Sequence, residues 1–482
     1  MWKRHAKLKL GAILLAVLAL AVWWRMFREV TVEYDDPVDR FYYSTIGVES
    51  AEGFPLDVWL VLPEVFSDFL PSRNPTSGYA DFGFLYKDDR VIPVGFSITY
   101  KGFDRIGLNC AACHAGSYRL DFSSSPTIVP AAPAIRADLQ AYIRFLFRCA
   151  RDDRFNTETL LDAIRKRRSL RIDESVLLKV LIPVVRNALQ DQEQTFRWAD
   201  ANPRWGPGRI DPFNPIKFGM LKRPLDRTIG NSDMMPIWRL ASRGGNGARL
   251  HWDGLNGSVY EVLYSSALGD GATPRTLDPA GLQAMEEWLS SIEPRKYPAA
   301  IDSGLAKRGR EIFNRHCGDC HGANGTRIGS VIPYVLNVED EDSNHIATDP
   351  ERIFMWDSGS AEAYNRYGVG YTWKFNDFKN IDGYVAVPLD GLWLRGPYLH
   401  NGSVPTLWHL LHPDQRPTVF YRGCDVLDTE NVGFVWERSQ ENGLPYFLFD
   451  TRLPGNANTG HRYGHELSEQ EKAALIEYLK TL

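Results

Sequence analysis

The sequence predicts a mainly α fold, with two helical domains carrying long irregular loops behind an N-terminal membrane helix. Three observations predict it. Apolar residues recur at helical spacing through much of the chain, two Cys-x-x-Cys-His pentads stand far apart in it, and an apolar run with basic flanks opens it. Of 482 residues, 44% are hydrophobic, 24% charged and 12% aromatic, which describes a folded chain of two or three domains and excludes disorder. The net charge of −5 gives no basic footprint, so no nucleic-acid partner is expected.

Taken in order, Lys3, Arg4, His5, Lys7 and Lys9 precede the apolar run Leu10 to Trp24, which Arg25 closes. The run lies between a signal h-region and a typical spanning helix in length. No small-residue cleavage site follows, and Trp23 and Trp24 occupy the place of an interfacial anchor. Residues 1–28 are therefore expected to be a retained single-pass anchor in a bacterial inner membrane, with the rest on the periplasmic side; a cleaved signal peptide is the alternative. Residues 29–298 form the first expected domain. Periodic, glycine-free stretches predict helices over 134–148, 157–168 and 173–198, the last with Pro183 inside it. Gly, Pro, Asn and Trp crowd 202–276, which reads as irregular loop, and Leu282, Met285, Trp288, Leu289 and Ile292 mark a closing helix before the linker at 293–298. Residues 299–482 form the second domain. Leu305, Gly309, Ile312, Phe313 and His316 predict its first helix, and Ser468 with Glu471 predicts a capping box for its last, with Leu475, Tyr478, Leu479 and Leu482 on one stripe.

The pentads are Cys110-Ala-Ala-Cys113-His114 and Cys317-Gly-Asp-Cys320-His321. On a helical turn, positions i, i+3 and i+4 share a face, so two thiols can form thioethers to a haem while the imidazole reaches its iron. A shared zinc site does not need a histidine after each pair, and a thioredoxin-like pair needs a βαβ pattern that is missing here. Two covalently bound haems c are therefore expected, on Cys110, Cys113, Cys317 and Cys320, with His114 and His321 as iron ligands. Such attachment occurs outside the cytoplasm, in agreement with the export signal. Cys149 and Cys424 are left over, as a disulfide or as buried thiols.

The sixth iron positions decide between electron transfer and catalysis. In 302–482 the only methionine is Met355, whereas His461 lies in the loop just ahead of the last helix, so His461 is assigned as sixth ligand of the second haem. His400, His409, His412 and His465 are its competitors. At the first haem Met234, Met235, Trp238, His251 and Trp252 remain open, His251 either closing the site or serving as a distal acid or base. Glu261 or Asp253 would supply a catalytic carboxyl, against the plainer reading of loop carboxylates. The acidic run Glu339 to Asp342 reads as solvated loop, with calcium as the lesser reading, and Arg165 to Arg168 as an exposed face.

The pentads, the tract Asn231-Ser-Asp-Met-Met-Pro-Ile-Trp238, the motif Arg395-Gly-Pro-Tyr-Leu-His400-Asn-Gly-Ser-Val-Pro405 and the loop Pro454 to His461 together resemble the dihaem cytochrome c peroxidase superfamily, and within it the rubber-oxygenase-like branch. The resemblance covers roughly 80–482. It implies two cytochrome c-like domains and an oxidoreductase. Electrons from a small donor protein or a quinol-linked donor would enter at the C-terminal haem and pass Trp238, with Trp252 as second choice. Peroxide or dioxygen would then be activated at the N-terminal haem, with a small apolar molecule as a further substrate. The alternative is a non-catalytic, membrane-anchored electron-transfer cytochrome with both haems six-coordinate.

Overall fold

Asp36 begins the first helix of the folded body: its carboxylate accepts the Val38 N–H, Pro37 sits in the first turn, and the helix Pro37–Tyr43 turns Phe41, Tyr42 and Tyr43 inward. This is a computed structural model describing residues 13, 15–17, 19, 20, 23–244, 247–322, 325–342 and 344–482. Beside that helix lies an antiparallel sheet in the order Glu29–Thr31, Phe96–Lys101, Asp104–Leu108, Phe54–Pro55. Its central hairpin pairs Phe96 with Leu108 and Ile98 with Ile106 across the turn at Gly102.

Glu49 is fully buried behind this hairpin, where it accepts the hydroxyls of Ser97 and Thr45. Burial pushes its carboxyl up to about 7, partly offset by those hydrogen bonds. The folded state thus holds a proton that the unfolded chain releases near pH 4.5. The resulting stability is fully present below that value and is lost as pH rises through about 7. Melting temperatures of wild type should therefore fall between pH 5 and pH 8 by the equivalent of a few kcal/mol, and Glu49→Gln, which keeps a neutral hydrogen-bonding group, should flatten that slope.

Three helices follow, at Leu139–Arg151, Thr157–Arg167 and Ile172–Thr195, the first two capped by Asp138 and Asn156 and the third containing Pro183. The loop expected over 202–276 is interrupted by a helix at Val259–Gly269, which Ser258 caps by accepting the Glu261 N–H. After Pro279–Ser291, the helix Ser303–His316 packs on the C-terminal helix Glu469–Leu479, whose capping box of Ser468 and Glu471 is formed. The two backbones touch at Gly309, where a Cβ would overlap the Ala474 carbonyl. Gly309→Ala should cost about 1–3 kcal/mol by forcing the helices apart, read as a lower urea midpoint with the pentads intact.

The expectation of a mainly α fold with an N-terminal membrane helix is overturned. The described residues are 41% helical and 13% strand, with one four-stranded sheet and six two-stranded pairs among them. Most of those pairs are two to four residues long, too short to show a strand period. Among the described residues no helix is long and apolar enough to cross a membrane. Residues 1–12, 14, 18, 21 and 22 of the anchor lie outside the described residues. From Arg25 onward the segment joins the folded body: Arg25 pairs with Asp173 and accepts the Tyr100 hydroxyl on its carbonyl, and Glu29–Thr31 is a sheet edge.

Candidate functional site

The first pentad is delivered by the hairpin. Asn109 follows its second strand, accepts the Ala111 N–H and donates to the carbonyls of Tyr42 and Ser44, fixing the turn Ala111–His114 on the first helix. Gly95, at φ +91°, lies so close to Ala112 that no side chain fits there. His114 then donates from Nδ1 to the Met235 carbonyl at 2.7 Å, which leaves Nε2 as its electron-pair donor. Burial pushes His114 down to about 4, so it is neutral at pH 7.

The second pentad leaves the helix Ser303–His316 directly, and His321 repeats the arrangement, its Nδ1 donating to the Val387 carbonyl at 2.9 Å. Across from it stands His461, with ring centroids 6.3 Å apart and planes tilted by 38°. Two metal–nitrogen bonds of about 2.0 Å each, together with the two half-rings, span a gap of about 6 Å, so this pair fits an iron between its rings. Burial, reinforced by His321 and Arg416, pushes His461 down to about 3 and keeps it a neutral donor. The thiols of Cys110 and Cys317 are pushed up to about 12 by burial. No group of three or more His, Cys, Asp or Glu among the described residues is placed to hold a metal ion by itself.

His461 is held through its backbone. Arg416 donates to the carbonyls of Asn458, Gly460 and His461, while Glu341 accepts the N–H groups of His461 and Arg462. Asn401 donates to Gly455 and Ala457, and Arg209 donates to Gly455 and Asn456. Neither Arg416 nor Glu341 stands out in the sequence as a site residue; Glu341 is hidden in the acidic run, and its oxygens go to backbone N–H groups. The competing histidines have other partners: His400 the Tyr384 hydroxyl, His409 Thr406, His412 Trp408 and Glu469, and His465 the Arg462 carbonyl.

The three tracts that carry the resemblance converge. His400 accepts the Asp233 N–H, and Arg422 joins Asp233 at 2.7 Å to the Gly402 carbonyl at 2.6 Å. Trp238, 1% exposed, lies three residues beyond the carbonyl that orients His114. Its indole presses on Gly391, and the Arg395 guanidinium lies 5.8 Å from its ring. Arg395 in turn donates to the Pro388 carbonyl, next to the Val387 carbonyl that orients His321. Trp238 therefore stands between the supports of the two pentad histidines.

The other candidates are placed differently. His251 packs edge-on against Phe213 at 5.3 Å, with Nε2 buried and unpartnered, and burial beside Arg352 and Arg249 pushes it down to about 3. Among the described residues no imidazole faces His114 as His461 faces His321. Glu261 spends its oxygens on the N–H groups of Asn376 and Asp377 and on Asn256, and Asp253 pairs with Arg352. These carboxylates brace loops. Trp252 donates to the Asp233 carbonyl. Arg165, Arg167 and Arg168 pair with Asp162, Glu64 and Asp57, and Cys149 and Cys424 are separate buried thiols.

Residues 383–421, which hold Val387, Arg395 and His400, match the family described as RoxA-like, cytochrome c-like. Over 88% of its length the chain is 27% identical to the uncharacterized protein y4iJ of Sinorhizobium fredii (strain NBRC 101917 / NGR234), covering 88% of that protein. It is 28% identical to the uncharacterized protein y4iM of the same strain over 52% of its own length and 64% of the relative's. These matches support a RoxA-like cytochrome relationship, and haem c is the cofactor its cytochrome c-like segment calls for.

Proposed function

We propose that the chain is a dihaem c-type cytochrome oxidoreductase that takes up electrons on the His321 side and reduces a small oxidant, peroxide or dioxygen, on the His114 side. One observation carries the reading: the two pentad histidines are unequal. His321 faces His461 at bonding range for a shared iron, and among the described residues His114 has no second imidazole before it. Haem c would supply one-electron exchange and, where the protein offers no second ligand, a place for a small oxidant to react. The protein's own part is positional. Cys110, Cys113, Cys317 and Cys320 fix the groups, the Met235 and Val387 carbonyls orient the imidazoles, and Trp238 offers the aromatic contact between the two supports. The donor is a small redox protein or a quinol-linked carrier, and the compartment is the periplasm, where thioether attachment takes place.

Optical and EPR spectra of the oxidised holoprotein, with and without cyanide, test this. One low-spin, cyanide-insensitive haem and one cyanide-binding haem are expected. Two insensitive low-spin haems would reduce the protein to an electron carrier.

A further inference from the structure

The helix Ile172–Thr195 is apolar on two faces. Leu178, Ile182 and Leu189 enter the core, as an amphipathic helix requires. On the outside a second stripe runs at four-residue intervals: Ile172 at 87% exposure, Val176 at 57%, Val180 at 61% and Val184 at 57%. β-branched side chains repeated for three turns on the wet side of a helix have no role in the fold that the core does not already fill. The stripe is continued at its N-terminal end. There Arg25 pairs with Asp173 at 2.8 Å, bringing the exposed Trp23, Trp24 and Phe27 to the head of the helix. Arg25, Arg168 and Arg171 gather on Asp173 and Glu174 at the same end, with Arg165, Lys166 and Arg167 in the last turn of the preceding helix and Arg28 three residues after Arg25. Their carboxylate neighbours are Asp57, Glu64, Asp104, Asp162, Asp173 and Glu174, six against the seven basic residues, so the cluster keeps a small positive excess.

A stripe of aliphatic side chains, tryptophans at one end and a basic excess beside them is the chemistry of a surface that lies in a lipid headgroup layer. We infer that this face docks on an anionic bilayer, with Ile172, Val176, Val180 and Val184 set among the acyl chains and the basic cluster over the lipid phosphates. The helix lies along the interface, so no segment needs to cross. A second copy of the chain is a poorer occupant, because the surface is one helix wide and its tryptophans and basic residues gather at one end.

Flotation of the full-length holoprotein with phosphatidylcholine vesicles, with and without phosphatidylglycerol, tests the inference. Binding should require phosphatidylglycerol and weaken as salt rises. The double variant Val176→Glu with Val180→Glu changes only outward side chains, so its haem spectra should stay as in wild type while vesicle binding falls by at least tenfold. Lys166→Glu should lower binding to anionic vesicles only. Binding left unchanged by the double variant would assign it to the N-terminal apolar run and overturn the proposal. So would wild type that fails to float, or a dimer seen by sedimentation that the double variant splits.

Discussion

Replacing His461 with alanine is expected to double the cyanide taken up by the oxidised protein, from one equivalent per chain to two, and to abolish its low-spin EPR signal. The reasons are geometric. His461 is the imidazole facing His321 at 6.3 Å, and the rival histidines are held by other partners. Its loop is tied through backbone atoms by Arg416 and Glu341, so trimming the ring leaves the loop in place. Added imidazole should restore the low-spin signal by filling the space. The mass of the denatured chain should keep both covalent adducts, since Cys317 and Cys320 are untouched. An unchanged spectrum would show that another residue closes the second site.

Arg422→Ala should be the most damaging single change to stability, at about 3–5 kcal/mol. Arg422 is 1% exposed, and it joins Asp233 to the carbonyls of Gly402 and Pro207. Removing it strands a buried carboxylate and frees two carbonyls at the meeting point of the three tracts. Burial already raises Asp233 to about 6, with Arg422 and Arg209 pulling it down. Without Arg422 that carboxyl rises further. A raised carboxyl contributes stability at low pH and loses it as pH climbs past the folded value. The urea midpoint of the variant should therefore lie closer to wild type at pH 5 than at pH 8. Arg422→Met with Asp233→Leu should recover much of the loss, because the pair is then replaced by apolar volume.

What the sequence displayed and what it hid follow from the range of the interactions. The pentads are local, and their spacing alone states their chemistry. His461 stands out by its place ahead of the box of Ser468 and Glu471, which is also local. The parts that stay hidden are those whose partners are backbone atoms distant in sequence. Arg416 and Glu341 look like any surface ion until the loop at 458–462 is folded against them. Glu261 reads in sequence as either a catalytic acid or a loop carboxylate, because nothing nearby in sequence reveals that Asn376 and Asp377 donate to it. The helix Val259–Gly269 did carry a signal, Ser258 ahead of Glu261, but it lies in a glycine-rich neighbourhood that outweighs eleven residues of periodicity. The sheet edge Glu29–Thr31 shows no period in three residues, and only its pairing with Phe96–Lys101 defines it.

The tethering of the His461 loop bears on speed as well as on placement. A group that gains or loses an electron must wait for the atoms around it to rearrange, and the energy of that rearrangement sets the barrier when the driving force is small. Here the loop is pinned at four of the five residues from Asn458 through Arg462, by a guanidinium and a carboxylate that are themselves part-buried. Such a loop has nowhere to relax to. In the proposed redox role, the protein would meet both oxidation states in nearly one geometry, which is the condition for rapid exchange with a partner of nearly equal potential.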